Sequence, residues 1–135
     1  MTQREVELIL VRQLASYLTI PIFVVDPKGT LIFFNEPAEV FLARRFEETE
    51  ELSLEEWTHL IAPSNKDGSP LRQDQRPIIT SLEEHRPAHA KIWISDQEGE
   101  RREIEVTTFP IVGQAGRDLG AVALFWGVER ATGEL

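Results

Sequence analysis

The run Gly120-Ala-Val-Ala-Leu-Phe-Trp-Gly-Val128 constrains the fold more than any other stretch. With Leu119 before it, it is the longest segment without a charged or strongly polar side chain. A helix needs about 20 apolar residues to cross a bilayer, so the run is too short to span one. Two glycines beside Val, Phe and Trp suit a strand covered on both faces better than a helix. Asp118 to Gly120 opens the run as a turn and Glu129-Arg130 closes it in charge. It reads as the central strand of a sheet. Ala121, Ala123 and Phe125 then point one way and Val122, Leu124 and Trp126 the other. One face meets inner helices or a ligand, the other an N-terminal helix or a partner.

The 135 residues fit one domain able to bury a core. The net charge is -9, from 23 acidic and 14 basic residues. Nucleic acid and anionic membrane surfaces both call for a basic patch, so neither is expected as a direct partner. With no cysteine, the chain has no disulfide, no thiolate chemistry and no Cys-ligated metal. Acidic Glu5 and Glu7 stand where a secretory signal would carry a basic and then an apolar run. The expected location is the cytoplasm.

Thr2-Gln-Arg-Glu5 has the spacing of a capping box, so a helix is expected from there to about Leu18. Its apolar residues form two stripes: Val6, Leu10, Leu14 and Tyr17, and Leu8, Val11, Ala15 and Leu18. Two stripes mean cover from two sides, one being the domain. The second is either the same helix of another copy, with Val6, Leu10, Leu14 and Tyr17 as the dimer face, or a deeper seat in its own domain.

Ile22–Val25 and Thr30–Phe34 form a hairpin around the turn Asp26-Pro-Lys-Gly29. Asn35 is an N-cap and Pro37 suits a first helical turn, so a short helix follows that carries Val40 and Phe41 and extends toward Phe46. The acid run Glu47 to Glu51 reads as a solvated loop, since it lacks the ordered ligand spacing of a calcium site. Ser53-Leu-Glu-Glu56 is a second capping box, opening a helix that carries Trp57, Leu60 and Ile61. A third helix is expected over Arg76 to Glu84, stopped by Pro87. Strands then cover Ala88–Ser95 and Glu103–Ile111. The order is helix, two strands, three short helices, three strands: an α+β fold on an antiparallel sheet.

At this point the chain resembles a PAS domain, the sensory module of kinases and transcription regulators, over residues 14–128. The likeness is carried by the hairpin Ile22–Asn35, by Asp67-Gly-Ser-Pro-Leu71 followed by Arg76-Pro77, by the turn Asp96–Arg102, and by Phe109-Pro-Ile-Val112 before Gly120–Phe125. The resemblance implies a five-stranded antiparallel sheet with the second strand at one edge and the last in the middle. Short helices lie on one face, and an N-terminal flanking helix dimerises the module. It divides the chain into a flanking helix (1–19), the PAS domain (20–130) and a disordered tail (131–135). It also implies a pocket between helices and sheet, and output to an effector kinase or transcription regulator, in cis or in trans. Many relatives end the last strand in Asp-Ile-Thr; Gly127-Val128-Glu129 stands there in this chain.

For the pocket, the candidate lining is Phe34, Phe41, Trp57, Ile61, Ile78, Leu82, Ile92 and Trp126. The alternative is that these side chains simply fill the core at native density. The resemblance gives haem or another small ligand as occupant, while the photoactive flavin chemistry of the family needs the cysteine that is missing here. Haem requires an axial ligand. Of His59, His85 and His89, His85 at the end of the third short helix is the best placed; otherwise it caps that helix. His85 and His89 have a zinc-like spacing, but Pro87 breaks the helix between them, so no metal site is expected. No nucleophile motif or phosphate loop is present. A small cone-fold enzyme of the NTF2-like kind is the alternative, and His59 with Asp67 or Glu56 would be its acid–base pair.

Overall fold

The structure, a computed structural model, describes residues 6–96 and 98–127. Two hairpins are closed by the same chemistry. Asp26 Oδ1 accepts from Lys28 N at 2.9 Å and from Thr30 N at 3.0 Å, joining β1 (Ile22–Val25) to β2 (Leu31–Phe34). Asp96 Oδ1 accepts from the N–H groups of Glu98 and Glu100, both at 2.9 Å, joining β3 (Ala88–Ser95) to β4 (Arg101–Val112). Gly29 and Gly99 sit at φ +89° and +81°, a region open to glycine at little cost.

The five strands form one antiparallel sheet in the order β2-β1-β5-β4-β3. β5 (Asp118–Gly127) is the middle strand, pairing Ile22 with Leu124 on one side and Thr108 with Ala123 on the other. β2 is an edge. The chain leaves that edge and re-enters at β3 on the other. It crosses one face of the sheet through α2 (Glu36–Leu42), α3 (Leu54–Ile61) and α4 (Pro77–Glu84).

Each crossing helix starts where its cap stands. Asn35 Oδ1 accepts from Ala38 N to open α2. The Ser53–Glu56 box is formed in both directions, at 3.2 and 2.8 Å. Pro77 opens α4, and His85 ends it in the left-handed region at φ 56°. In α2 Val40 points to solvent, and Ala38 and Leu42 are the residues the helix buries. Phe46 lies beyond the helix, in a separate single turn, Phe46–Glu48.

α1 (Val6–Tyr17) lies on the opposite face of the sheet. Ala15 is buried at 1% exposure, with Leu8 and Val11 partly buried against Ile22, Val24, Ile111 and Val122. Val6, Leu10, Leu14 and Tyr17 are exposed, Leu14 at 61% and Tyr17 at 79%. The helix is therefore not sunk into its own domain: one stripe is covered from Leu8 to Ala15, with Leu18 beyond the helix exposed, and the other is bare. The expected capping box at Thr2–Glu5, the residues Val128-Glu129 and the tail lie outside the described residues.

The sheet thus separates two cores. On the inner face Phe23, Val25, Ala121, Ala123 and Phe125 meet Trp57, Ile61 and Ile78. On the outer face Val122 and Leu124 meet α1. β5 serves both, which accounts for its lack of polar residues between Leu119 and Trp126.

Candidate ligand cavity

Aromatic rings build the inner wall. Trp57 is fixed at both ends: its Nε1 donates to the Gly29 carbonyl at 2.9 Å, and its ring meets Phe23 edge-on at 5.5 Å. Phe23 in turn meets Phe125 at 5.6 Å, and Phe41 packs on Phe125 at 5.0 Å. Between these rings, α3, α4 and the inner face of β3 and β4 lies a cavity of about 50 Å³. Its apolar walls include Phe23, Trp57, Ile61, Ile78, Ile92 and Phe125; its polar margin is Thr58, Arg76 and Thr108.

Of the residues singled out from the sequence, Trp57, Ile61, Ile78 and Ile92 line this cavity. Phe34 is buried against Phe46 instead, with ring centres 5.4 Å apart. Phe41 and Leu82 pack around the inner core without reaching the cavity wall. Trp126 needs a correction. Alternation along β5 turns it to the outer face, 38% exposed, with the His89 ring 6.4 Å away. Its neighbour Phe125 holds the inner position. The period-two pattern already separated these two rings, and only the side on which the helices pack was missing.

Thr108 anchors the cavity floor. Its Oγ1 donates to the Pro77 carbonyl at 2.9 Å and lies 2.7 Å from Ser81 Oγ, tying α4 to β4. Arg76 precedes α4. Its Nη2 donates to the Leu71 carbonyl at 3.0 Å, while its Nε is buried with no hydrogen-bond partner. The sequence places Arg76 at the start of the third short helix and gives it no role at a site, because the surroundings of an arginine are set by tertiary packing.

None of the three histidines lines the cavity. His85 is exposed at the end of α4, its Nε2 3.3 Å from Asp118 Oδ2. His89 is exposed on β3, with Thr107 Oγ1 at 2.9 Å and Glu105 Oε2 at 3.4 Å. The two hold separate partners and do not form a pair. Haem does not fit these residues: the cavity is small against the several hundred Å³ of ordinary cofactor pockets, and no histidine faces it.

The acid–base candidates do not converge either. His59 is exposed. Glu56 is held below its ordinary pKa by hydrogen bonds from Ser53, the backbone N–H first and the side chain second. Asp67 is lowered by the Ser69 hydroxyl and then by the Ser69 N–H. Both carboxylates are committed to their own turns.

No model of a known protein family matches the sequence, and no curated protein matches it. Solved structures do match. The PAS domain of a Colwellia psychrerythraea protein superposes with a TM-score of 0.62 at 18% identity, covering 90% of this chain and 96% of that one. The PAS domain of Bordetella pertussis BvgS gives 0.60 at 15% identity, covering 93% and 88%. The LOV protein of Rhodobacter sphaeroides gives 0.69 at 11% identity, covering 93% and 69%. The chain has the fold of a PAS domain, with the five-stranded antiparallel sheet and an N-terminal helix.

Proposed function

We propose that this chain is a sensory and protein-interaction domain of the PAS type, acting in signal transduction or transcription regulation. The observation that carries the reading is the division of labour across the sheet. An apolar cavity lies on the inner face, a half-covered helix on the outer one, and a single strand, β5, runs between them. A change in packing around Phe125 is one residue away from Leu124 and Trp126 on the outer face.

In this reading α1 dimerises the domain through Val6, Leu10, Leu14 and Tyr17, and burying these four side chains supplies the association energy. Output passes to an effector kinase or transcription regulator, in cis or in trans. The charge of -9 argues for a protein partner and against direct contact with nucleic acid. Among the described residues no helix is long and apolar enough to cross a membrane, and the proposed location is the cytoplasm. The domain is read as non-catalytic, because its acid–base candidates are turned to solvent or held in turns.

The test is sedimentation over a concentration series, on the whole chain and on a chain lacking residues 1–18. A concentration-dependent dimer that becomes a monomer on truncation is expected. A monomer at every concentration in both forms would remove the dimeric reading.

A further inference from the structure

We infer that the inner cavity is a site for a small carboxylate with an apolar body, its acid group held by Arg76. This rests on the reading of the domain as a ligand-binding sensor and adds the chemical class of the ligand. Three observations converge on one corner of the molecule.

The first is an unmet donor. Among the described residues, Arg76 Nε is the one buried side-chain polar atom without a hydrogen-bond partner. A buried donor left unpaired costs about 1–3 kcal/mol, more when charged, so native structures seldom retain one without use.

The second is an unmet charge. The chain has 23 acidic side chains, yet none of the six ion pairs among the described residues involves Arg76. Its guanidinium is satisfied only in part, by the Leu71 carbonyl. Arg76 also stands directly before α4, whose first residues Pro77 and Ile78 line the cavity, so its cation lies at the N-terminal end of that helix. A partly buried cation beside a helix N-terminus favours an anion.

The third is position. Arg76 and Thr58 line both the inner cavity and a more open groove beside it, which is bordered by Lys28, Thr30, Glu55 and His59. They form the partition between the two. A ligand entering from the groove would leave its acid group at this partition and place its body among Phe23, Ile61, Ile78 and Phe125. The volume limits that body. At about 50 Å³ the cavity is well below the ~150 Å³ that takes benzene, so a short branched chain fits and a ring system does not. Glu55 lies on the groove side and forms no ion pair with Arg76; it disfavours a dianion, whose second charge would lie in the groove.

The experiment titrates the whole chain with isobutyrate, isobutyramide and isobutanol at matched ionic strength, following isoleucine methyl resonances and the thermal midpoint. Isobutyrate is expected to shift the Ile61 and Ile78 methyls saturably and raise the midpoint, with the amide and alcohol weaker by about tenfold or more, the worth of a charge-assisted hydrogen bond. Arg76→Gln should bring acid and amide to the same weak affinity. Equal affinity of acid and amide for the unsubstituted chain would overturn the carboxylate assignment while leaving a ligand-binding cavity in place. No methyl response to any of the three would overturn both. The acid–amide comparison needs no variant, so it decides even if Arg76→Gln fails to fold.

Discussion

Asn35 Nδ2 donates to the Ala15 carbonyl at 3.0 Å, fastening α1 to the sheet across 20 residues of sequence. The same nitrogen donates to the Ile20 carbonyl at 2.9 Å, and Oδ1 accepts from Ile22 N at 2.9 Å and from Ala38 N at 3.3 Å. One amide, 3% exposed, therefore sets the end of α1, the start of β1 and the start of α2. Asn35→Ala removes all four bonds: the Ala15 carbonyl keeps the Leu18 N–H at 3.2 Å, while the buried Ile22 N–H and the part-buried Ile20 carbonyl lose the partner Asn35 supplies. The expected loss is about 3 kcal/mol in urea denaturation, with faster amide exchange at the C-terminal end of α1. A loss under about 1 kcal/mol would show that water replaces the amide.

The two glycines of the central strand should respond differently. Gly120 has φ +120°, and a Cβ there would collide with the Val25 carbonyl oxygen across the β1–β5 pairing. Gly120→Ala is expected to cost more than about 3 kcal/mol or to prevent folding. Gly127 has open space around its Cβ position, and Gly127→Ala should change stability by less than about 1 kcal/mol. Similar thermal midpoints for the two variants would contradict this backbone geometry.

Asp96 predicts a pH dependence. Burial raises its pKa, but the Glu100 and Glu98 N–H groups and then Arg102, whose Nε lies 3.1 Å from Oδ2, together hold it below the ordinary value. A lowered native pKa means the unfolded chain binds the proton more readily. The stabilisation is therefore present above the unfolded pKa and lost as pH falls through the native one, below about pH 4. Asp96→Asn should make the thermal midpoint less dependent on pH in that range. An unchanged acid slope would assign the dependence to other carboxylates.

Leu14 separates association from folding. It is exposed on α1 next to the buried Ala15, so Leu14→Glu should leave the thermal midpoint of the monomer nearly unchanged, within about 0.5 kcal/mol. If α1 is the dimer face, the same variant should raise the dissociation constant at least about tenfold, because a charge replaces a buried apolar side chain. A dimer of undiminished strength would move the interface elsewhere, with Phe109 and Trp126 on the same side of the sheet as the next place to look.

Local chemistry made most elements legible. Turns at Asp26–Gly29 and Asp96–Gly99, caps at Asn35 and Ser53, and prolines at 37, 77 and 87 act over a few residues, and so could be read in order along the chain. Alternation sorted β5 into two faces and placed Phe125 opposite Trp126. The candidate site was legible in part. Trp57, Ile61, Ile78 and Ile92 lie on helix and strand faces that point inward by local period, whereas Val40 and Trp126 are large apolar residues that point outward. Size and hydrophobicity do not say which way a side chain faces.

The sequence by itself determined the order of helices and strands and that Gly120–Gly127 lies at the centre of a sheet, since these follow from short-range sterics and apolar periodicity, while Asp118 to Gly120, expected as a turn, is the start of β5. Only the tertiary structure decided which face of that strand meets the short helices, that one stripe of α1 stays bare, and that Arg76 stands partly buried beside the cavity with its Nε buried and unpaired. Each of these depends on contacts between residues far apart in the chain. A period of two or 3.6 names the faces of an element without saying what covers them.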